Sequence, residues 1–246
     1  MADYDNRILR SQATAAGVID AGLRAYMLRV YNYMLIGLAL TGATAWLTAE
    51  TAFGQLFYHV DPVSGRMGMT LLGMIALFAP LGLVLLMSFR INRMSVAAAQ
   101  GTFWAYAALV GIGIAPVLLV YTGASVAQVF FITAATFGTM SLWGYTTKRD
   151  LSGFGSFLFM GLIGIVFASL VNLFFHSAMM TFVVSVIGVL VFTGLTAYDT
   201  QAIKESYVEN DDGTIAGRKA IFGALRLYLD FINLFLMLMQ LLGNRR

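Results

Sequence analysis

Residues 94–147 read MSVAAAQGTFWAYAALVGIGIAPVLLVYTGASVAQVFFITAATFGTMSLWGYTT, 54 positions without one Asp, Glu, Lys or Arg. A helix crossing a bilayer needs about 20 mostly apolar residues, so this stretch is too long for one crossing and long enough for two. It breaks naturally at Pro116 to Ala124, where Pro, Tyr, Thr and Gly interrupt the apolar run. Two helices are expected, at about 94–115 and 124–147.

The same reading extends outward. Val30–Ala49 is charge-free over 20 residues and Met67–Phe89 over 23, giving helices at about 30–49 and 67–89. Leu151–Tyr198 lacks charge over 48 residues and divides at His176-Ser177 into 151–175 and 178–199. A last apolar segment, 221–242, differs from the rest because it holds Arg226 and Asp230. The expected organisation is an N-terminal segment 1–29, a transmembrane domain 30–242 and a short tail 243–246.

Composition agrees. Of 246 residues, 59% are hydrophobic and 11% charged, with a mean hydropathy of +0.81. A soluble surface usually needs roughly a quarter charged residues, so the outer boundary of this core is lipid. The absence of cysteine excludes disulfides, thiolate metal sites and a cysteine nucleophile. The isolated His59 and His176 form no metal-binding pair on one helix, and both are read as loop or interface residues. A net charge of +3 without an arginine run gives no sign of nucleic-acid binding.

Lys and Arg accumulate on the cytoplasmic side of membranes. Eleven of them (Arg7, Arg10, Arg24, Arg29, Arg90, Arg93, Lys148, Arg149, Lys204, Arg218 and Lys219) fall on one side of the expected spans, against Arg66 on the other. The N-terminus is therefore placed in the cytoplasm, and the charged first 29 residues carry no apolar core of a cleaved signal. Seven crossings would put Arg245 and Arg246 on the side poor in basic residues, so the last helix is read as something other than a plain crossing. Gly37, Thr41 and Ala45, and Gly161, Gly164 and Ala168, recur at helical spacing and are read as close-packing faces.

An ionisable group in hydrocarbon costs about 2.5–3.5 kcal/mol on insertion scales and is a functional hypothesis by default. Asp199 closes the sixth run, Asp230 lies inside the last segment, and Arg90 ends the second run, all toward the same face. If they meet, two carboxyls in low dielectric titrate as a coupled pair. Loss of the shared proton would leave an oxygen-rich site for a hard cation such as calcium, with Arg90 as a latch. A plainer reading remains open: Asp199 sits in the polar interface, and Arg226 pairs with Asp230 four residues along one helix.

Thr196-Ala-Tyr-Asp-Thr-Gln-Ala-Ile-Lys and Leu225-Arg-Leu-Tyr-Leu-Asp-Phe-Ile-Asn-Leu-Phe closely resemble the paired signature of the Bax inhibitor family, the transmembrane Bax inhibitor motif proteins. The resemblance implies an all-α seven-helix membrane bundle, its semi-polar last helix central and wrapped by six others in two three-helix layers. It also implies a pH-sensitive calcium leak, with Asp199 and Asp230 as sensor and Arg90 as latch. A second implied role is modulation of a membrane-anchored ATP-dependent protease, which the N-terminal segment would contact. Arg226 departs from the pattern: a fixed cation one turn from Asp230 is expected to modulate the pair and weaken divalent binding. No catalytic cluster, cofactor or resident metal is expected, and no pair of matching broken helices of the kind found in transporters with repeated halves is evident. The cysteine-free, compact chain points to a bacterial inner membrane.

Overall fold

The computed structural model describes the backbone of residues 2–60 and 67–246 and the side chains of residues 21–59 and 68–246. The side chains of Arg7, Arg10 and Arg66, and most of the expected protease-contact segment, lie outside the described residues. Seven helices follow one another: α1 Ala2–Glu50, α2 Leu71–Arg90, α3 Val96–Val120, α4 Gly123–Thr146, α5 Ser152–Phe175, α6 Ala178–Glu205 and α7 Gly213–Leu242. Each contains a stretch long and apolar enough to cross a membrane; in α1 it is Ala21–Glu50. The chain is thus a multi-pass helical membrane protein. Helix initiation is written locally, because Thr70, Ser95, Thr122, Ser177 and Asp212 each accept a backbone amide of the first turn with the side chain. Those caps satisfy donors that a helix end leaves without partners.

Several boundaries differ from the expected ones. The helix predicted to end before Pro116 continues to Val120 with the proline inside it. Proline has no N–H, so the carbonyl four residues back, at Ile112, loses its helical partner. The Tyr58 hydroxyl donates to that carbonyl at 2.8 Å, which compensates the break. Tyr58 belongs to a two-stranded hairpin, β1 Tyr58–Val60 with β2 Met67–Met69, that follows α1. Burial pushes its phenol above the ordinary tyrosine range. Helix α6 runs six residues past Asp199 to Glu205; near that end Lys204 donates to the Tyr145 carbonyl at 2.8 Å and lies over the Tyr145 ring. At the start of α5, hydrogen bonds from the side chain and amide of Ser152 hold the exposed Asp150 carboxyl below the usual carboxylate range.

The last helix is as long and apolar as a plain crossing requires, which the charge-based reading did not expect. Its start is tied to the α6 end through Lys219, which reaches Asp211 at 2.6 Å and the Ser206 carbonyl at 3.0 Å. Its far end meets the α3–α4 connection: Thr122 N–H donates to the Asn244 carbonyl, Arg246 N–H to the Val120 carbonyl, and Arg245 bridges Tyr121. Residues 245 and 246 therefore lie on the face opposite the basic connections. The positive-inside bias is dominated by the connections of the preceding helices, and two terminal arginines do not offset it.

The packing explains why α7 tolerates polar residues. Its apolar window is 67% buried, against 11% for α5. It is flanked by α1, α3, α4 and α6, while α2 stacks on α3 and α5 stacks on α6. Contacts α1–α3 and α2–α3 in the first half are mirrored by α4–α6 and α5–α6 in the second. Since each half has three crossings, the halves enter the membrane from opposite sides, the inverted arrangement of many transport folds. No internal repeat was legible in the residues themselves. Gly37 lies against the Phe103 ring, so α1 and α3 approach closely there. In the second small-residue stripe Gly161 touches Val191, but nothing lies near Gly164, and α5 instead buries Gly155, Leu158 and Ile165.

Candidate functional site

Helices α6 and α7 run antiparallel in a fixed register. Gly223 packs on Ile203 near the basic face, and Gly188 packs on Met237 toward the opposite one. Ser185 donates to the Gln240 Oε1 at 2.6 Å further out. In that register Arg226 stands level with Asp199, and Asp230 is one turn deeper, about 6 Å at 1.5 Å per residue.

The Arg226 guanidinium forks onto Asp199: Nε donates to Oδ2 at 3.2 Å and Nη2 donates to Oδ1. A planar fork on a carboxylate is the strong form of this pair. Arg226 keeps a third of its side chain exposed while Asp199 keeps a tenth. Asp230 is 4% exposed, and its Oδ2 is buried with no hydrogen-bond partner. The charged groups acting on it are Asp199 and Arg226. The α6–α7 register thus sets Asp230 one turn beyond the Asp199–Arg226 pair.

Arg226 pairs with Asp199 on the neighbouring helix, not with Asp230 on its own. The only ion pairs among the described residues are this one and Lys219–Asp211. Arg90 is exposed at the end of α2 and makes no ion pair among the described residues. Helix α2, which ends in Arg90, packs on α3 and not on the α6–α7 pair that carries Asp199, so the structure does not bring Arg90 to the aspartates. No group of three or more His, Cys, Asp or Glu able to hold a metal occurs among the described residues. Calcium takes six to eight oxygen ligands, more than two aspartates beside a guanidinium supply.

Hydroxyls lie near the cluster, and of these the sequence reading named only Thr41, as part of a packing face. Tyr31 and Ser141 are linked at 2.6 Å, and Ser141 and Thr200 at 2.9 Å, which connects α1, α4 and α6 beside Asp199. Behind Asp230, Tyr228 is fully buried between the rings of Phe103 and Tyr106, with its hydroxyl 2.6 Å from Thr41 Oγ1. The available signal was the spacing: Thr196 and Thr200 lie one turn apart on the helix that carries Asp199. Gly144 of α4 lies against the Ala197 backbone, and this close approach leaves no room for a side chain beside Asp199.

Comparison with known proteins agrees with this architecture. The family described as "Inhibitor of apoptosis-promoting Bax1" matches residues 23–246. The chain belongs to the Bax inhibitor family. Similar relatives include an uncharacterized protein of Rickettsia prowazekii (strain Madrid E), 46% identical over the whole of both chains. The inner membrane protein YbhL of Escherichia coli (strain K12) is 47% identical over 92% of this chain and 94% of its own. An uncharacterized membrane protein of Streptococcus pyogenes is 36% identical over 92% of this chain and 95% of its own. The match covers both signature segments and every membrane-crossing helix of this family member.

Proposed function

We propose that this Bax inhibitor family protein is a pH-sensitive cation leak, with calcium as its ion, in which Asp199 and Asp230 are the sensor and Arg226 the latch of the closed state. The observation that carries this reading is the buried, unpartnered Asp230 carboxyl oxygen one turn from a carboxylate that already holds a guanidinium. One cation balances one anion. With a proton on the pair the cluster is neutral; without it, one net negative charge remains in low dielectric, where an entering cation is the available compensation.

The α6–α7 seam supplies the route. Asp199, Thr196 and Ser185 mark it on α6 at intervals of 3 and 11 residues, and Arg226, Asp230, Asn233 and Gln240 on α7 at intervals of 4, 3 and 7, close to whole helical turns. Met237 packed on Gly188 interrupts the seam and separates the outer polar residues from Asp230. In the proposed cycle, loss of the proton as pH rises draws a cation to Asp230, and Arg226 releases Asp199 as the ion passes. Similarity to an inner membrane protein supports a bacterial inner membrane as the location, and the excess of Lys and Arg in the connections of one face favours the cytoplasm for that face.

The test is calcium release from liposomes holding the purified protein, across a pH series. Flux that rises with pH in wild type and is pH-independent in Asp230→Asn supports the reading. Identical pH profiles for the two proteins would remove the aspartate pair from the mechanism.

A further inference from the structure

Helices α1 and α4 head the two halves, yet α1 packs on α3, α4 packs on α6, and both lean on α7. Between them a groove of about 690 Å³ opens sideways, toward the space that lipid occupies in a membrane. Its walls include Met34, Leu38, Phe130 and Phe137, and Phe231 of α7 contributes to its floor. Leu38, Phe130 and Phe231 also line a further apolar pocket of about 130 Å³ that continues it toward Ile114 and Phe235. The end at the basic face has a different character. Arg24 lines it together with Tyr145, and Lys204 sits over the Tyr145 ring from behind.

An apolar slot with cations at one end matches a phospholipid: hydrocarbon along the slot and an anionic headgroup at the basic rim. We propose that the α1–α4 groove binds one acyl chain of an anionic phospholipid from the leaflet at the basic face, with its phosphate at Arg24 and the Lys204 charge nearby. The chain lies along the lipid-facing apolar walls, where a neighbouring protein helix would bury the same surface without answering the charge. Basic side chains at a membrane surface attract anionic lipid, and the groove fixes that attraction at one position. The site stands independently of ion conduction.

Two glycines make it testable. A Cβ at Gly138, on the groove wall, or at Gly42, in the smaller extension, meets nothing within 4 Å. Gly138→Trp and Gly42→Phe therefore fill the slot without forcing the helices apart. The protein is placed in phosphatidylcholine bilayers doped with phosphatidylglycerol bearing a photoreactive acyl chain, crosslinked, and mapped by mass spectrometry; lipid retained after gentle detergent extraction is counted by native mass spectrometry. Expected are adducts concentrated on α1 and α4, loss of the retained lipid in either glycine variant, and, in Arg24→Gln, retention of a lipid with the preference for phosphatidylglycerol over phosphatidylcholine reduced about fivefold, the equivalent of one basic side chain at an anionic surface. Adducts spread equally over the outward faces of α2 and α5, unchanged retention in both glycine variants, an unchanged preference in Arg24→Gln, or a protein dimer closing the groove in place of lipid would each overturn the proposal. Calcium flux in the glycine variants is read in parallel, so a failed lipid site and a failed leak are told apart.

Discussion

Arg226 grips Asp199 across the α6–α7 interface and leaves Asp230, four residues along its own helix, without an ion pair. Two carboxyls share one cation, and the one that is left out is the more deeply buried. That inequality sets up opposite consequences for neutralising Asp230 and for neutralising Arg226.

Asp230→Asn removes a buried carboxyl with an unpaired oxygen and substitutes a neutral amide of the same shape. The amide leaves the same buried position without a partner but carries no charge, so the variant is expected to match wild type at pH values where Asp230 is protonated and to be the more stable where Asp230 ionises. Thermal unfolding in detergent measures it. A lower midpoint would mean that Asp230 contributes to folding rather than opposing it.

Arg226→Gln is expected to act the other way, because it strands Asp199 at 7% exposure without its guanidinium. Breaking a fully buried pair costs about 3–5 kcal/mol, and the third of Arg226 that remains exposed reduces this to about 1–3 kcal/mol. Adding Asp199→Asn should restore most of the loss, and a double-mutant cycle reads the coupling. Equal destabilisation with and without Asp199→Asn would show that Arg226 acts through packing alone.

Tyr58→Phe leaves the Ile112 carbonyl without the donor that stands in for the missing Pro116 amide. The expected loss is about 1 kcal/mol. In a Pro116→Ala background the helix supplies its own N–H, and the same change should cost little. Strict additivity of the two substitutions would disconnect the tyrosine from the proline.

Met237→Ala opens the narrow point where its side chain rests on Gly188. Liposome flux is expected to increase several-fold while its pH dependence, set at Asp230, is retained. A variant with wild-type flux would put the outer restriction elsewhere.

These relationships also show what the residues disclosed by themselves. The charge-free run 94–147 revealed two crossings because a bilayer tolerates no other reading, and Asp199 and Asp230 stood out because hydrocarbon penalises them. Helix length was less legible. Pro116 looked like a terminus until Tyr58, in a hairpin far along the chain, proved to satisfy the orphaned carbonyl. The end of α6 was hidden in the same way, since Lys204 was read as marking a connection yet lies on the helix, bonded to the Tyr145 carbonyl. Arg226 could reach an aspartate on its own helix or on α6, and spacing favoured the first; only the antiparallel register decides for the second. The mirrored halves left no trace in the residues, because three apolar crossings can be packed alike by many different side chains.

The place of α7 bears on how the protein is made. The helix that fills the middle of both halves leaves the ribosome after the other six, and its Arg226 and Asp230 make it a poor candidate for partitioning into lipid unaided. The six earlier helices must therefore hold a vacant centre during synthesis, with hydroxyls such as Thr41 and Thr200 awaiting their surroundings. Threading is complete when residues 244–246 seat on the turn between α3 and α4. A chain cut before residue 244 would lack that fastening.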